Sequence, residues 1–107
     1  VGDSMNFDVG ARIKELRTAK GVSTNKLSNM AGLSQSYVRN LEEGKYDNPT
    51  VESLELICDA LGIAFEDFIN YKDFSLSQLK AMRVVRSLSD EQLEGFCQLM
   101  NPPKDQE

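Results

Sequence analysis

The chain has 107 residues, 40% hydrophobic and 27% charged, with a formal net charge of −5. That suits one small domain with a real core and room for an appendage, and no apolar run approaches the ~20 residues of a bilayer span. The chain has no histidine, which excludes histidine bases, Ser-His-Asp and Cys-His nucleophile systems and histidine-ligated metals. It also lacks a glycine-rich phosphate loop followed by lysine, so neither an enzyme nor a cofactor is expected.

"VGDSMNFD" has neither the basic start nor the apolar stretch of a signal peptide. Residues 1–8 read as an extension, with 1–4 a candidate cloning remnant and the fold beginning at Met5. Asp8 then caps a helix carrying Val9, Ile13 and Leu16 at i, i+4, i+7, and Gly21 ends it. Ser23 caps a short second helix with Leu27, Met30 and Ala31 on one face, broken by Gly32. Ser34 caps a third, with Tyr37, Val38 and Leu41 inward and Gly44 closing it. "KYDNP" is a loop, because asparagine before proline disfavours helix. Thr50 caps a fourth helix with a stripe of Val51, Leu54, Ile57, Cys58 and Leu61, stopped by Gly62. Phe65, Phe68 and Ile69 mark a brief fifth helix.

After Tyr71 the character changes. Leu76, Leu79, Met82, Val85 and Leu88 form a rough stripe behind a capping box of Ser75 and Gln78. A second box, Ser89 and Gln92, opens a stripe of Leu93, Phe96, Cys97 and Met100, with Leu88 and Leu93 spaced as a hydrophobic staple and Pro102-Pro103 as the stop. The expectation is all-α, with a five-helix domain over residues 9–71, a helical hairpin over 72–101 and a tail over 102–107. Cys58 and Cys97 are too few and too far apart for a disulfide framework or zinc site. Both read as buried free thiols of a reducing cytoplasm.

The charge is segregated. From Val9 to Lys45 there are seven Lys/Arg against three Glu, a surplus of four, whereas Tyr46 to Tyr71 holds six acids and no base. A basic face on an acidic chain is therefore available to nucleic acid. Two short helices joined by a glycine-containing turn describe a helix-turn-helix, with Gly32 as the turn and Ser28 as the small residue where the helices meet. Val38 and Leu41 anchor the second helix from behind. That leaves Gln35, Ser36, Arg39, Asn40 and Glu43 outward.

These residues, within "RIKELRTAKGVSTNKLSNMAGLSQSYVRNLEEGKYDNPTVESLELICDALGI", resemble the Cro/repressor-type helix-turn-helix family with its λ-repressor-like fold. The resemblance covers a little over half of the chain. It implies that the helix from Ser34 enters the DNA major groove, with Gln35, Ser36, Arg39 and Asn40 facing base edges. Arg39 is otherwise a surface ion-pair partner of Glu42 or Glu43. Backbone contacts would come from the capped start at Ser34 and from Thr24, Lys26, Lys45, Tyr46 and Asn48. Arg12, Lys26 and Lys45 read equally as phosphate contacts or as solvated charges. Arg17 and Glu42 match a family charge pair that orients the recognition helix. Three positions depart from the family pattern: Thr24 where glutamine is usual, Arg39 where a small serine is usual, and Ala64 in place of a polar cap.

The function expected is a double-stranded DNA-binding regulator, a repressor working as a homodimer on an inverted repeat. Leu79, Met82, Val85, Leu93, Phe96 and Met100 are the dimerisation candidates. The alternatives are an antitoxin whose hairpin holds a toxin, or a protein-interaction module that has kept the fold without DNA binding. No membrane partner or small-molecule site is evident.

Overall fold

The computed structural model describes residues 7–46 and 49–102; the proposed start at Met5, the remnant at 1–4, Asn48 and Pro103 lie outside the described residues. Seven helices follow in order: α1 (Val9–Lys20), α2 (Thr24–Ala31), α3 (Gln35–Glu42), α4 (Val51–Leu61), α5 (Phe65–Asn70), α6 (Leu76–Arg86) and α7 (Asp90–Met100). No strand occurs among the described residues. No helix among them is long and apolar enough to cross a membrane.

The helix starts follow from local chemistry. Asp8, Ser23, Ser34 and Thr50 each accept a hydrogen bond from the backbone N–H three residues on, satisfying a donor that the first turn leaves free. Both capping boxes form in full. α5 has no side-chain cap, as Ala64 foretold, but carries Glu66 and Asp67 at its positive end.

Ile13, Leu16, Leu27, Val38, Leu41, Ile57, Cys58, Leu61, Ile63, Phe68 and Leu79 are essentially sealed from solvent. This single core joins α1 to α5 and extends into α6, where Leu76 and Leu79 are buried with it. The core thus runs past residue 71, and Leu79 belongs to it. Met82 is half-buried against the same cluster.

Several other positions differ from expectation. Met30 is 42% exposed, because the buried face of α2 centres on Leu27, Ser28 and Ala31 and leaves Met30 on its flank. Val51, in the open first turn of α4, is 57% exposed beside the stripe that starts at Leu54. Cys97 is exposed, since α7 buries no residue at all. Arg12 is buried instead of facing phosphate. Its Nη2 donates to the carbonyls of Tyr71 at 3.3 Å and Phe74 at 2.6 Å, tying α1 to the α5–α6 linker. Asp67 on α5 is sealed from solvent and held by both terminal nitrogens of Arg86 on α6. Beyond that clasp α7 buries none of its residues. The radius of gyration is 17.1 Å, against about 13 Å for a compact chain of this length.

Candidate nucleic-acid interface

The α2–α3 unit is built around Gly32, whose φ of 74° is open to glycine at little cost. The Leu33 N–H returns to the Ser28 carbonyl at 2.9 Å across this turn. Ser28 is buried at the bend and donates its hydroxyl to the Asn25 carbonyl at 2.7 Å, so a small polar residue fits there without a stranded group. Behind α3, Val38 and Leu41 lock into the core. In front, Gln35, Ser36, Arg39 and Glu43 are exposed and Asn40 is half-buried.

The C-terminal end of α3 is fixed from three sides. Arg17 grips Glu42 with Nε at 2.7 Å and Nη2 at 3.1 Å, while its Nη1 donates to the Val22 carbonyl at 2.9 Å. Such a pair orients more than it stabilises. Thr24 Oγ1 donates to the same Glu42 carboxylate at 3.4 Å, so this side chain turns inward to the pair. Third, Gly10 in α1 approaches the end of α3 so closely that a Cβ there would stand 2.0 Å from the Leu41 carbonyl oxygen. Beyond α3, the Lys45 N–H donates to the Asn40 carbonyl at 2.9 Å, and the Gly44 N–H to that of Leu41 at 3.1 Å, closing the helix.

Tyr37 holds the middle of α3. Its hydroxyl lies 2.8 Å from Ser53 Oγ on α4, and its ring stacks on that of Tyr46 at a centroid distance of 4.9 Å. The hydroxyl therefore reaches a partner on the neighbouring helix.

The basic surplus is smaller at the surface than along the sequence. Arg12 and Arg17 are committed inside the fold, and Lys45 pairs with Glu43 at 3.2 Å. Lys14, Lys26 and Arg39 are exposed and form no ion pair among the described residues, so Arg39 joins neither Glu42 nor Glu43. Ser34 caps α3 through Tyr37 N at 3.1 Å, leaving the adjoining backbone donors directed outward.

The sequence pointed to Arg17, Glu42, Gly32 and the outer face of α3. It gave no notice of Gly10, Ser53 or the Tyr37–Tyr46 stack. A glycine two residues into an otherwise regular helix was the one available signal for Gly10, since alanine would favour the helix more.

A glycine-turned helix pair with a polar outer face, braced against α1 and α4, defines a module of the DNA-reading helix-turn-helix class. The helix-turn-helix family matches residues 13–68, just over half of the chain, and the protein belongs to this family, in its Cro/repressor-like branch. Among named relatives, the transcriptional regulator SinR of Bacillus licheniformis is 34% identical over 65 residues, covering 61% of this chain and 59% of that protein. SinR of Bacillus subtilis is 31% identical over 64 residues, 60% of this chain and 58% of that one. The immunity repressor of Bacillus phage phi105 is 40% identical over 55 residues, 51% of this chain and 38% of the repressor. The match thus spans about three fifths of the SinR regulators. Among solved structures, the complex of SinR with the SinI protein superposes with a TM-score of 0.58 at 26% identity, over 86% of this chain and 93% of that one. The regulator ClgR of Corynebacterium glutamicum gives 0.56 at 24% identity, over 91% and 94%, a likeness of fold.

Proposed function

We propose that the protein is a sequence-specific double-stranded DNA-binding transcriptional regulator of the cytoplasm, a repressor that binds an inverted-repeat operator as a homodimer. The carrying observation is the outer face of α3, where hydrogen-bonding side chains stand clear of the core while every apolar residue of that helix is turned inward or half-buried. Gln35, Ser36, Arg39 and Asn40 read base edges; glutamine and asparagine pair bidentately with adenine, and arginine with guanine. Ser34, Lys26, Lys45 and Tyr46 contact the backbone and set register without carrying sequence information. Thr24 acts through Glu42, which lowers its share in phosphate contact. The names of the relatives, regulators and a repressor, support the same reading.

The hairpin supplies the second copy. Val85, Phe96, Leu99 and Met100 are exposed apolar residues, and Met82 and Leu93 are half-buried beside them. Leu79 leaves this set because it is consumed in the core. α6 carries Lys80, Arg83 and Arg86 with no acid, Arg83 and Arg86 already paired with Asp59 and Asp67, and α7 carries Asp90, Glu91 and Glu94 with no base, so Lys80 is the cation of α6 left to meet α7 of a second copy. A second occupant of the same surface is a different protein, a reading favoured by the likeness to SinR in complex with SinI.

In vitro selection against random duplex DNA tests the reading. Recovery of an inverted repeat, with affinity falling steeply as salt rises, is the expected result. Failure to bind any duplex at low salt, by folded protein, overturns it. Light scattering of Phe96→Glu with Leu99→Glu tests the hairpin; the pair of changes converts a dimer to a monomer.

A further inference from the structure

Resting on the DNA-binding reading, we infer that Tyr37, Ser53 and Tyr46 form a positioning cluster that sets the roll of α3 and the path of the chain leaving it, and so governs sequence discrimination.

Tyr37 sits between the base-facing residues. Gln35 and Ser36 precede it by less than one turn, and Asn40 follows by one turn. It lies about 100° round the helix from Ser36 and about 60° from Asn40, and its side chain joins the α4 frame through the 2.8 Å contact with Ser53 Oγ. Ser53 is itself fixed, because it is buried, donates to the Thr50 carbonyl at 3.0 Å and lies in the capped first turn of α4. The hydrogen bond therefore ties a helix with a free outer face to a helix locked in the core. Val38 and Leu41 anchor α3 by non-directional apolar contact and the Arg17–Glu42 pair fixes its last turn, so the Tyr37–Ser53 hydrogen bond is the directional tie at the middle of the helix. With side-chain tips about 6 Å from the helix axis, a roll of about 10° moves a base-facing atom by about 1 Å, enough to break a bidentate contact.

Tyr46 completes the cluster on the other side. Its ring lies on Tyr37 at 29° between planes, and it lines a cleft with Phe7, Gly10, Leu41 and Pro49. The backbone of Lys45, just before it, is tied to Asn40 by the 2.9 Å N–H to carbonyl bond, so the stack and this bond together set where the chain leaves α3. Base contact and backbone contact are registered to one another through one pair of rings.

The test begins with wild-type protein and its selected operator. Tyr37→Phe keeps the ring and stack but removes the tether, and Ser53→Ala removes its partner. In variants with unchanged circular dichroism, each lowers the ratio of operator to scrambled-duplex affinity by about 3- to 10-fold, the weight of one hydrogen bond. The double variant loses no more than either single one, as coupled residues require. Tyr46→Ala lowers the slope of log affinity against log salt by about one, matching Lys45→Gln. A loss of stability alone would move neither the ratio nor the slope. A wild-type protein that reads an operator, with folded variants whose ratios stay within twofold and whose slopes are unchanged, overturns the inference and leaves the DNA-binding reading standing. A wild-type protein that binds no duplex removes both.

Discussion

Glycine 10 and the two cysteines show how much a single side chain, or its absence, decides here. A methyl group on Gly10 would collide with a backbone carbonyl, which cannot swing aside as a flexible side chain can. Gly10→Ala should therefore cost about 1–3 kcal/mol in denaturant melts despite the better helix propensity of alanine. Gly95, in α7 with nothing within 4 Å of its would-be Cβ, should respond with the opposite sign: Gly95→Ala raises helicity by circular dichroism. The cysteines differ in the same way. Burial pushes the Cys58 thiol up from its ordinary value of 9.0 to about 12, with Asp59 and Glu55 adding to the shift. At pH 8 an alkylating reagent should modify Cys97 and spare Cys58 in folded protein, as mass spectrometry would read out. The linkage has a definite sign. A thiol whose folded pKa is raised stabilises fully below the unfolded value and loses that contribution as pH climbs from about 9 towards about 12. Wild type should lose stability relative to Cys58→Ala over that window. Parallel curves would contradict the assignment.

At the level of the helix, what could be read from the chain was what the chain writes locally. Serine, threonine and aspartate caps lie three residues from the donors they satisfy, so six of the seven helix starts were legible. The inward and outward faces of α3 were legible for the same reason, since Val38 and Leu41 repeat at helical spacing. Other features depend on residues far apart in the chain. Arg12 meets Phe74 62 positions away, Arg86 meets Asp67 19 away, and Tyr37 meets Ser53 16 away. No local pattern marks such partners, and so Arg12 read as a surface cation. Arg86 supplies a direct test. Arg86→Met strands a carboxylate that has no solvent exposure, and should lower the melting midpoint. Pairing it with Asp67→Asn should recover part of that loss. A single substitution that melts like wild type would mean that water reaches Asp67 unaided.

The molecule as a whole divides its surfaces by charge and by packing, and the two divisions fall at different places. Net charge changes sign near Lys45, whereas the packed unit ends only within α6, after Leu79. Truncation after Tyr71 therefore removes two buried leucines and should destabilise the remainder by several kcal/mol, given about 2–5 kcal/mol for each buried leucine cut back. Truncation after Leu88 spares them and should keep most of the melting midpoint. Equal midpoints for the two fragments would show that α6 contributes nothing to the core.

α7 leaves no side chain in the interior of its own chain. Its composition therefore answers to whatever docks on it rather than to the fold behind it. Mutation can rewrite that helix at little risk to the buried core, and such changes need not disturb the outer face of α3. On the proposed function, substitutions accumulating in α7 and in α3 would trace two separate histories, one of assembly and one of operator choice, carried by a single short chain.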